Sequence, residues 1–246
     1  MIGALRALSF YVFGFGAVVP YALLIVLLFW APHATRWKVC RAYCRLTLWA
    51  GEFFCGMKVV VEGRENLPDE PSVVMIKHTT TLETYGHVPL FPRTAWVIKR
   101  EITWMPIFGW AIALALKPIA IHRGSRRTAV KQVIEQGKAR LAEGTWVTIF
   151  PEGSRVPPGE TRRYGVSGAA LAQQASVPIV PVAHNAGDFW RRREFAKRPG
   201  TVRFVIGPPI SAEGRAPRET NLVVQAWIEE KMQEISSAYG EKPQAE

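Results

Sequence analysis

Cysteine is scarce in this chain of 246 residues: Cys40, Cys44 and Cys55 are the only three, all within one short stretch. An odd, clustered set is no disulfide framework, and without histidines near a C-x-x-C pair it is no zinc site, so the sequence fits a reducing compartment. Acid is also in deficit, with 20 Asp and Glu against 31 Lys and Arg and a formal net charge of +11. That balance favours anionic partners, whether phosphates, acidic proteins, nucleic acid or an anionic membrane. Several signatures are missing. There is no Walker A loop and no HExxH. Gly165-Val166-Ser167-Gly168-Ala169 comes near G-x-S-x-G, but its last glycine is displaced and no strand runs into it, which argues against a covalent serine. Internal repeats and low-complexity linkers are absent, and a hydrophobic fraction of 48% excludes a disordered chain.

Charge is missing locally as well. Leu8 to Ala31 carries none, and a helix of that length covers the roughly 30 Å of a bilayer's hydrocarbon. The run lacks an A-x-A cleavage site, so a removed leader does not fit. It reads as a spanning helix, or, because Gly14, Gly16 and Pro20 interrupt it, as a bent helix dipping into one leaflet, with a buried core helix as the plain alternative. Arg36, Lys38, Arg41 and Arg45 follow it, which places the downstream chain on the cytoplasmic side by the positive-inside bias. Thr35 to Phe54 is a second, basic amphipathic helix. Val39, Tyr43, Leu46, Ala50 and Phe53 share one face, and Trp37 and Trp49 are placed as headgroup-level rings.

From Lys58 the pattern alternates. Apolar strand candidates are 59–62, 73–76, 95–98, 118–121, 145–150, 177–182 and 202–206. Between them lie a helix capped by Ser125 and ending at Gly144, a short Ala-rich helix over 168–175, and a last helix capped by Thr220. The expected fold is α/β, with a mixed, largely parallel sheet flanked by helices, preceded by an N-terminal membrane-binding helical pair. The domains are residues 1–57 for the membrane-associated helices and 58–246 for the α/β domain.

Four segments near predicted strand ends carry candidate chemistry, where open α/β sheets place their ligands. The first is Lys77-His78-Thr79-Thr80-Thr81-Leu82-Glu83, in which Thr80 to Glu83 has the form of a capping box. Five residues turn about 500° within one helix, so His78 and Glu83 meet only if the histidine sits on the turn before it. An imidazole so held by a carboxylate is a general base; a lone histidine satisfied structurally is the alternative. In the second segment Lys99 and Arg100 end one strand and Arg123, after His122, ends the next. Such cations can hold a phosphate or merely close strands at the surface. The aromatic turn Trp104 to Trp110 lines an apolar groove or fills core. The third is Pro151-Glu152-Gly153-Ser154-Arg155, where a glycine lets amides approach an anion and Glu152 can orient arginines. The fourth, Val177 to Val182, holds two prolines and so reads as an edge or a bent strand walling an apolar pocket.

Taken in order and at this spacing, KHTTTLE, KRE with W-x-P-x-x-G-W and IHR, PEGSR and VPIVPV resemble the four motif blocks of the glycerolipid acyltransferases, specifically those of the bacterial 1-acyl-sn-glycerol-3-phosphate acyltransferases. The likeness runs from about Val73 to Val182. It implies transfer of an acyl chain from acyl-carrier protein or coenzyme A to the sn-2 hydroxyl of lysophosphatidic acid, giving phosphatidic acid for phospholipid synthesis. It further implies His78 as base, Glu83 as its partner, and Arg123 with the Glu152-Gly153-Arg155 loop on the phosphate. Lys99 and Arg100 join that group by their position at the strand end. The family's acidic residue is usually Asp; Glu83 is one methylene longer, which puts the imidazole's orientation in question. No cofactor and no metal are expected beyond the acyl-thioester co-substrate. Partners are the two substrates, acyl-carrier protein, and anionic lipid at the cytoplasmic face of a bacterial inner membrane, with no nucleic acid. The basic stretch 191–193 with Lys197, Arg198 and Arg203 is a docking surface for carrier protein or lipid, or a solvated loop. Rival readings are another acceptor, such as a lyso-ornithine lipid or glycerol 3-phosphate, and a metal-dependent membrane hydrolase built on His78, Glu83 and His87.

Overall fold

The computed structural model describes residues 2–122 and 124–240. After two long helices, α1 (Ile2–Leu27) and α2 (His33–Cys55), the chain runs β1 (Met57–Glu62), β2 (Val73–Ile76), α3 (Leu82–Leu90), β3 (Thr94–Lys99), α4 (Phe108–Leu116), β4 (Ile119–Ile121), α5 (Arg126–Ala142), β5 (Trp146–Ile149), α6 (Ser167–Ala175), β6 (Ile179–His184), α7 (Ala186–Phe189), β7 (Gly200–Ile206), α8 (Pro217–Ile235) and α9 (Ser237–Gly240). The strands form one seven-stranded sheet in the order β1-β7-β6-β2-β5-β3-β4. Each pairing is parallel except that of β6 with β7. This is the expected mixed, largely parallel sheet.

The period-two alternation of strand side chains decides what each face covers. Val73 and Met75 of β2 point into a core closed by α5, α6 and α8 through Val133, Leu171, Val224 and Ile228. Val74 and Ile76 point the other way, into a core closed by Phe10 of α1, Ala50 of α2 and Leu82 of α3. β2, β5 and β6 are buried on both faces, hence their near-continuous apolar sequences.

β6 corrects one expectation: it is an interior strand between β7 and β2, and Ile179, Val180 and Val182 fill the two cores rather than wall a pocket. Pro181 is accommodated by position. Its carbonyl accepts from Gly207 N–H at 2.9 Å, so its ring nitrogen faces the same side. That side is where β6 changes partner, between the Ile179–Ile210 bridge and the Val182–Ile206 pair. The caps are partly as expected. Ser125 Oγ accepts from Thr128 N–H at 3.1 Å, whereas α8 starts at Ala216–Pro217 and Thr220 is buried within its first turn. Proline at the first helical position loses a donor the helix could not use.

The helical pair packs on the sheet. Phe10 enters the core, while Ala22 and Ile25 meet Ala111 and Ala115 of α4. Two of the four cations that follow the apolar run serve helix ends. The buried Arg36 guanidinium donates to the carbonyls of Leu28, Phe29 and Ala31 after α1 and to Leu114 O near the end of α4. Arg41 donates to Pro89 O at 2.9 Å in the last turn of α3. Orphan carbonyls and the negative end of the helix dipole favour a cation there. Trp37 is buried beside Cys44, Val88 and Leu116, so only Trp49 of the two expected interfacial rings reaches the surface. Phe53 is likewise exposed.

Leu5, Val12, Phe15, Val19 and Leu27 along α1, Phe29 and Trp30 after it, and Trp49 and Phe53 of α2 are exposed. Trp104, Met105, Phe108 and Trp110 are too, so these side chains of the aromatic turn do not fill core. This much exposed large apolar surface marks an interaction face.

Candidate active site

The chain leaves β2 for β3 on one side and β5 for β6 on the other, so a crevice is expected at the carboxyl ends of β2 and β5. His78 stands there, on the turn between β2 and α3. Its Nδ1–H donates to Glu83 Oε1 at 2.6 Å. The longer acid therefore reaches the imidazole, and does so from a fully buried position. The same carboxylate accepts the Thr80 amide, at 3.1 Å on Oε1 and 2.9 Å on Oε2. Only half of the expected capping box is made: the Thr80 hydroxyl donates to Trp190 O at 2.6 Å and accepts from Leu82 N–H at 3.5 Å rather than from Glu83 N–H.

The PEGSR loop holds the histidine's backbone and ring. Glu152 Oε1 accepts from His78 N–H at 3.3 Å, and His78 O accepts from Val156 N–H at 2.8 Å. The imidazole stacks on Phe150, with ring centres 4.1 Å apart. With Nδ1 donating, Nε2 is the acceptor left for a substrate proton, and the side chain keeps 15% exposure to reach one.

Beneath this turn lies a network that sequence reasoning missed. Lys77 is fully buried; its Nζ donates to Glu229 Oε1 of α8 at 2.7 Å and to Glu160 O at 3.2 Å, and lies 3.5 Å from Glu152 Oε1. Tyr164 donates its hydroxyl to the same Glu229 oxygen at 2.8 Å. One ammonium thus serves two carboxylates. Its shorter contact goes to Glu229, and burial pushes Glu152 up to about 7. His184, at the end of β6, donates Nε2–H to Lys77 O at 2.7 Å, with Glu83 Oε2 3.9 Å away, and burial lowers its pKa. A histidine two residues beyond the VPIVPV block was the only local signal for it.

The remaining expected residues are spread along the same sheet edge. Glu152 faces Lys77 and the His78 amide rather than arginines. Gly153 has a φ of +71°, and its N–H donates to Phe150 O at 3.0 Å, so the glycine makes the turn. Arg155 is half-buried and borders a cavity with Thr80 and Thr81. Lys99 and Arg100 are exposed at the end of β3, with Lys99 in register with Ile121, which precedes the exposed His122. β5 separates β3 from β2, so these cations sit two strands from His78. Arg123 lies outside the described residues. His87, the third residue of the metal alternative, is buried and stacked on Phe91; its Nε2 lies 2.8 Å from Thr148 Oγ1, and burial pushes it down to about 3. Among the described residues no three His, Cys, Asp or Glu side chains gather to hold a metal.

Comparison with known proteins gives the family and the fold. Residues 58–185 match the family model described as Acyltransferase. A Pseudomonas aeruginosa protein named 1-acyl-sn-glycerol-3-phosphate acyltransferase is 44% identical over 209 residues, covering 83% of this chain and 81% of that one. The human 1-acyl-sn-glycerol-3-phosphate acyltransferase alpha is 31% identical over 176 residues, which is 70% of this chain and 62% of the relative. The crystal structure of the Thermotoga maritima 1-acyl-sn-glycerophosphate (LPA) acyltransferase PlsC superposes with a TM-score of 0.77 over 94% of both chains, and at 22% identity this is a likeness of fold. With a histidine–carboxylate pair on the β2–α3 turn and the match spanning half the chain, the protein belongs to the acyltransferase family, that of the 1-acyl-sn-glycerol-3-phosphate acyltransferases.

Proposed function

We propose that the chain acylates the sn-2 hydroxyl of lysophosphatidic acid from an acyl-thioester, forming phosphatidic acid. The carrying observation is the His78–Glu83 contact of 2.6 Å, with Nε2 left facing outward. Nε2 takes the hydroxyl proton as the oxygen attacks the thioester carbonyl. The tetrahedral oxyanion then collapses, the C–S bond breaks, and the imidazolium gives its proton to the leaving thiolate, which restores the neutral base and releases the free thiol. A base so placed contributes about 10² to 10⁴ in rate. No acyl-enzyme forms in this scheme, because His78 deprotonates the acceptor itself. The protein's own residues suffice for each proton transfer, so no cofactor or metal is invoked, and the donor is acyl-CoA or acyl-carrier protein. Lys99, Arg100 and Arg155 supply positive charge along the strand ends for the phosphate, and Arg123 is assigned to it by the family resemblance alone.

The membrane reading rests on α1, which by length and composition could cross a bilayer. Its 26 residues measure about 39 Å. It is tied to the sheet and to α4 from Phe10 to Ile25, and Trp49, exposed as well, meets the ring of Phe13 on α1. That geometry favours a helix lying in one leaflet of the inner membrane, on the cytoplasmic side, with its active site where the acceptor already is.

The test is an assay of purified protein with labelled lysophosphatidic acid and either donor, in wild type and His78→Ala, with and without EDTA. Phosphatidic acid from the wild type, unchanged by EDTA and lost in the variant, is the expected result. More than a few per cent of activity in His78→Ala removes the base, and loss with EDTA revives the metal hydrolase.

A further inference from the structure

A cavity of about 280 Å³ opens beside the catalytic turn, bordered by Thr80, Thr81, Arg155, Trp190, Arg192 and Arg193. Thr80 is the residue whose amide holds Glu83 in place against His78. The cavity is thus joined through one carboxylate to the base.

Its far wall is a built loop rather than a loose basic stretch. Lys197 is buried and donates Nζ to Glu194 O at 2.6 Å and Phe195 O at 2.9 Å. The same ammonium lies over the rings of Tyr11 and Trp190, at 5.0 and 5.1 Å. The loop is closed by Arg198 N–H on Phe189 O at 2.9 Å and by Thr80 on Trp190 O. Lys197 is therefore a strut inside the loop, and Arg192 and Arg193 are presented to solvent together with Phe195 and Arg198.

The charge there is uncompensated. The one carboxylate on the cavity, Glu194, pairs with Arg198 at 3.4 Å. Arg155 Nε is buried and donates to no atom among the described residues. Three guanidiniums around one small cavity suit a phosphate ester, since each offers a planar fork to its oxygens. Tyr11 also lines the cavity and stacks on the exposed Phe15 of α1, which connects the site to the apolar face.

We infer that Arg192 and Arg193, which lie outside the four motif blocks, are specificity-determining residues that extend the phosphate-ester site of Arg155 across this cavity. The inference rests on the reading of the chain as an acyltransferase with phosphorylated substrates. Two sources share the chemistry: the phosphomonoester of the acceptor and the phosphates of a coenzyme A or phosphopantetheine donor.

The test uses the full chain in neutral-detergent micelles, comparing wild type, R192A/R193A, R192K/R193K and the charge-matched K131A/K138A on α5. Both arginines are exposed, and thermal unfolding checks that the variants fold. R192A/R193A should raise KM about tenfold for one substrate with kcat within twofold, R192K/R193K should fall between, and K131A/K138A should match the wild type. A raised KM for lysophosphatidic acid alone assigns the acceptor's phosphate; a raised KM for the donor alone assigns the donor's. Both constants within twofold of wild type, or an equal shift in K131A/K138A, overturns the inference. Equilibrium binding of glycerol 3-phosphate, without turnover, separates the two readings. If the wild type acylates nothing yet binds it more tightly than R192A/R193A, the acyltransferase reading fails and the subsite stands. Equal binding with no KM change removes the subsite alone.

Discussion

Nδ1 of His78 lies 2.6 Å from Oε1 of Glu83, and that carboxylate is anchored in turn by the Thr80 amide. One acid therefore both shapes the start of α3 and fixes the ring orientation that leaves Nε2 for the acceptor. Shortening it separates the two duties. Glu83→Asp draws the oxygens back by about one C–C bond, 1.5 Å, too far to keep both contacts, and a misplacement of about 1 Å can cost up to about 10²-fold in rate. Glu83→Asp should lower kcat by about 10- to 100-fold and Glu83→Gln by about 10²-fold or more, with KM for lysophosphatidic acid little changed. Steady-state kinetics on the two variants measures this; a kcat within twofold of wild type in Glu83→Gln would remove the partnership.

The Lys77–Glu229 contact of 2.7 Å ties the base-bearing turn to α8, more than 150 residues away in sequence. Lys77→Ala leaves Glu152 and Glu229 facing each other without their cation, and breaking a buried pair this way costs about 3 to 5 kcal/mol. Glu229→Gln keeps an acceptor for the ammonium and removes one negative charge, so its loss should be nearer 1 kcal/mol. Denaturant unfolding of both variants checks the order. Equal losses would mean that the ammonium is not what stabilises the cluster.

Glu152 supplies a pH dependence with a definite sign. Burial raises its pKa from 4.5 to about 7. Between these values the folded chain holds a proton that the unfolded chain has released, so this group's contribution is present at low pH and is lost as pH rises through about 7. His184 and His87 shift the opposite way and overlap in part, so the informative quantity is a difference. The stability of Glu152→Gln minus that of wild type should rise between about pH 4.5 and 7 and then level off. Melting temperatures at half-unit steps test it, and a flat difference would place an ionised Glu152 in the fold throughout.

Legibility followed the range of the interactions involved. The seven strands were readable because their apolar runs are local, and His78 with Glu83 because five residues of spacing across a strand-to-helix turn is a local fact. Lys77, Glu229 and Lys197 were not. A buried lysine looks like a surface one until α8 or the ring of Tyr11 is brought to it from a distant part of the chain. Arg36 and Arg41 looked like membrane-side cations after the apolar run because their partners, carbonyls at or just past the ends of three helices, belong to the packing of those helices. Pro181 looked like an edge residue because only the sheet order shows that β6 changes partner beside it.

The exposed face of α1 gives the last prediction. Val12 and Phe15 are 65% and 70% exposed, one turn apart, and take no part in either sheet core. Burying such side chains in a membrane is worth about 1.5 to 3 kcal/mol each, so removing both should weaken partitioning by about 10²-fold or more. V12S/F15S should therefore float poorly with vesicles of anionic lipid while melting within a few degrees of wild type, because the lost contacts are mainly with lipid, with the stacking of Phe15 on Tyr11 the one ring contact given up. Its kcat on a short-chain acceptor in detergent should match wild type, since the His78 turn is untouched. Vesicle flotation beside that micellar assay separates the cases. Unchanged flotation would mean that the face meets another protein surface, and lost micellar activity would mean that α1 shapes the active site directly.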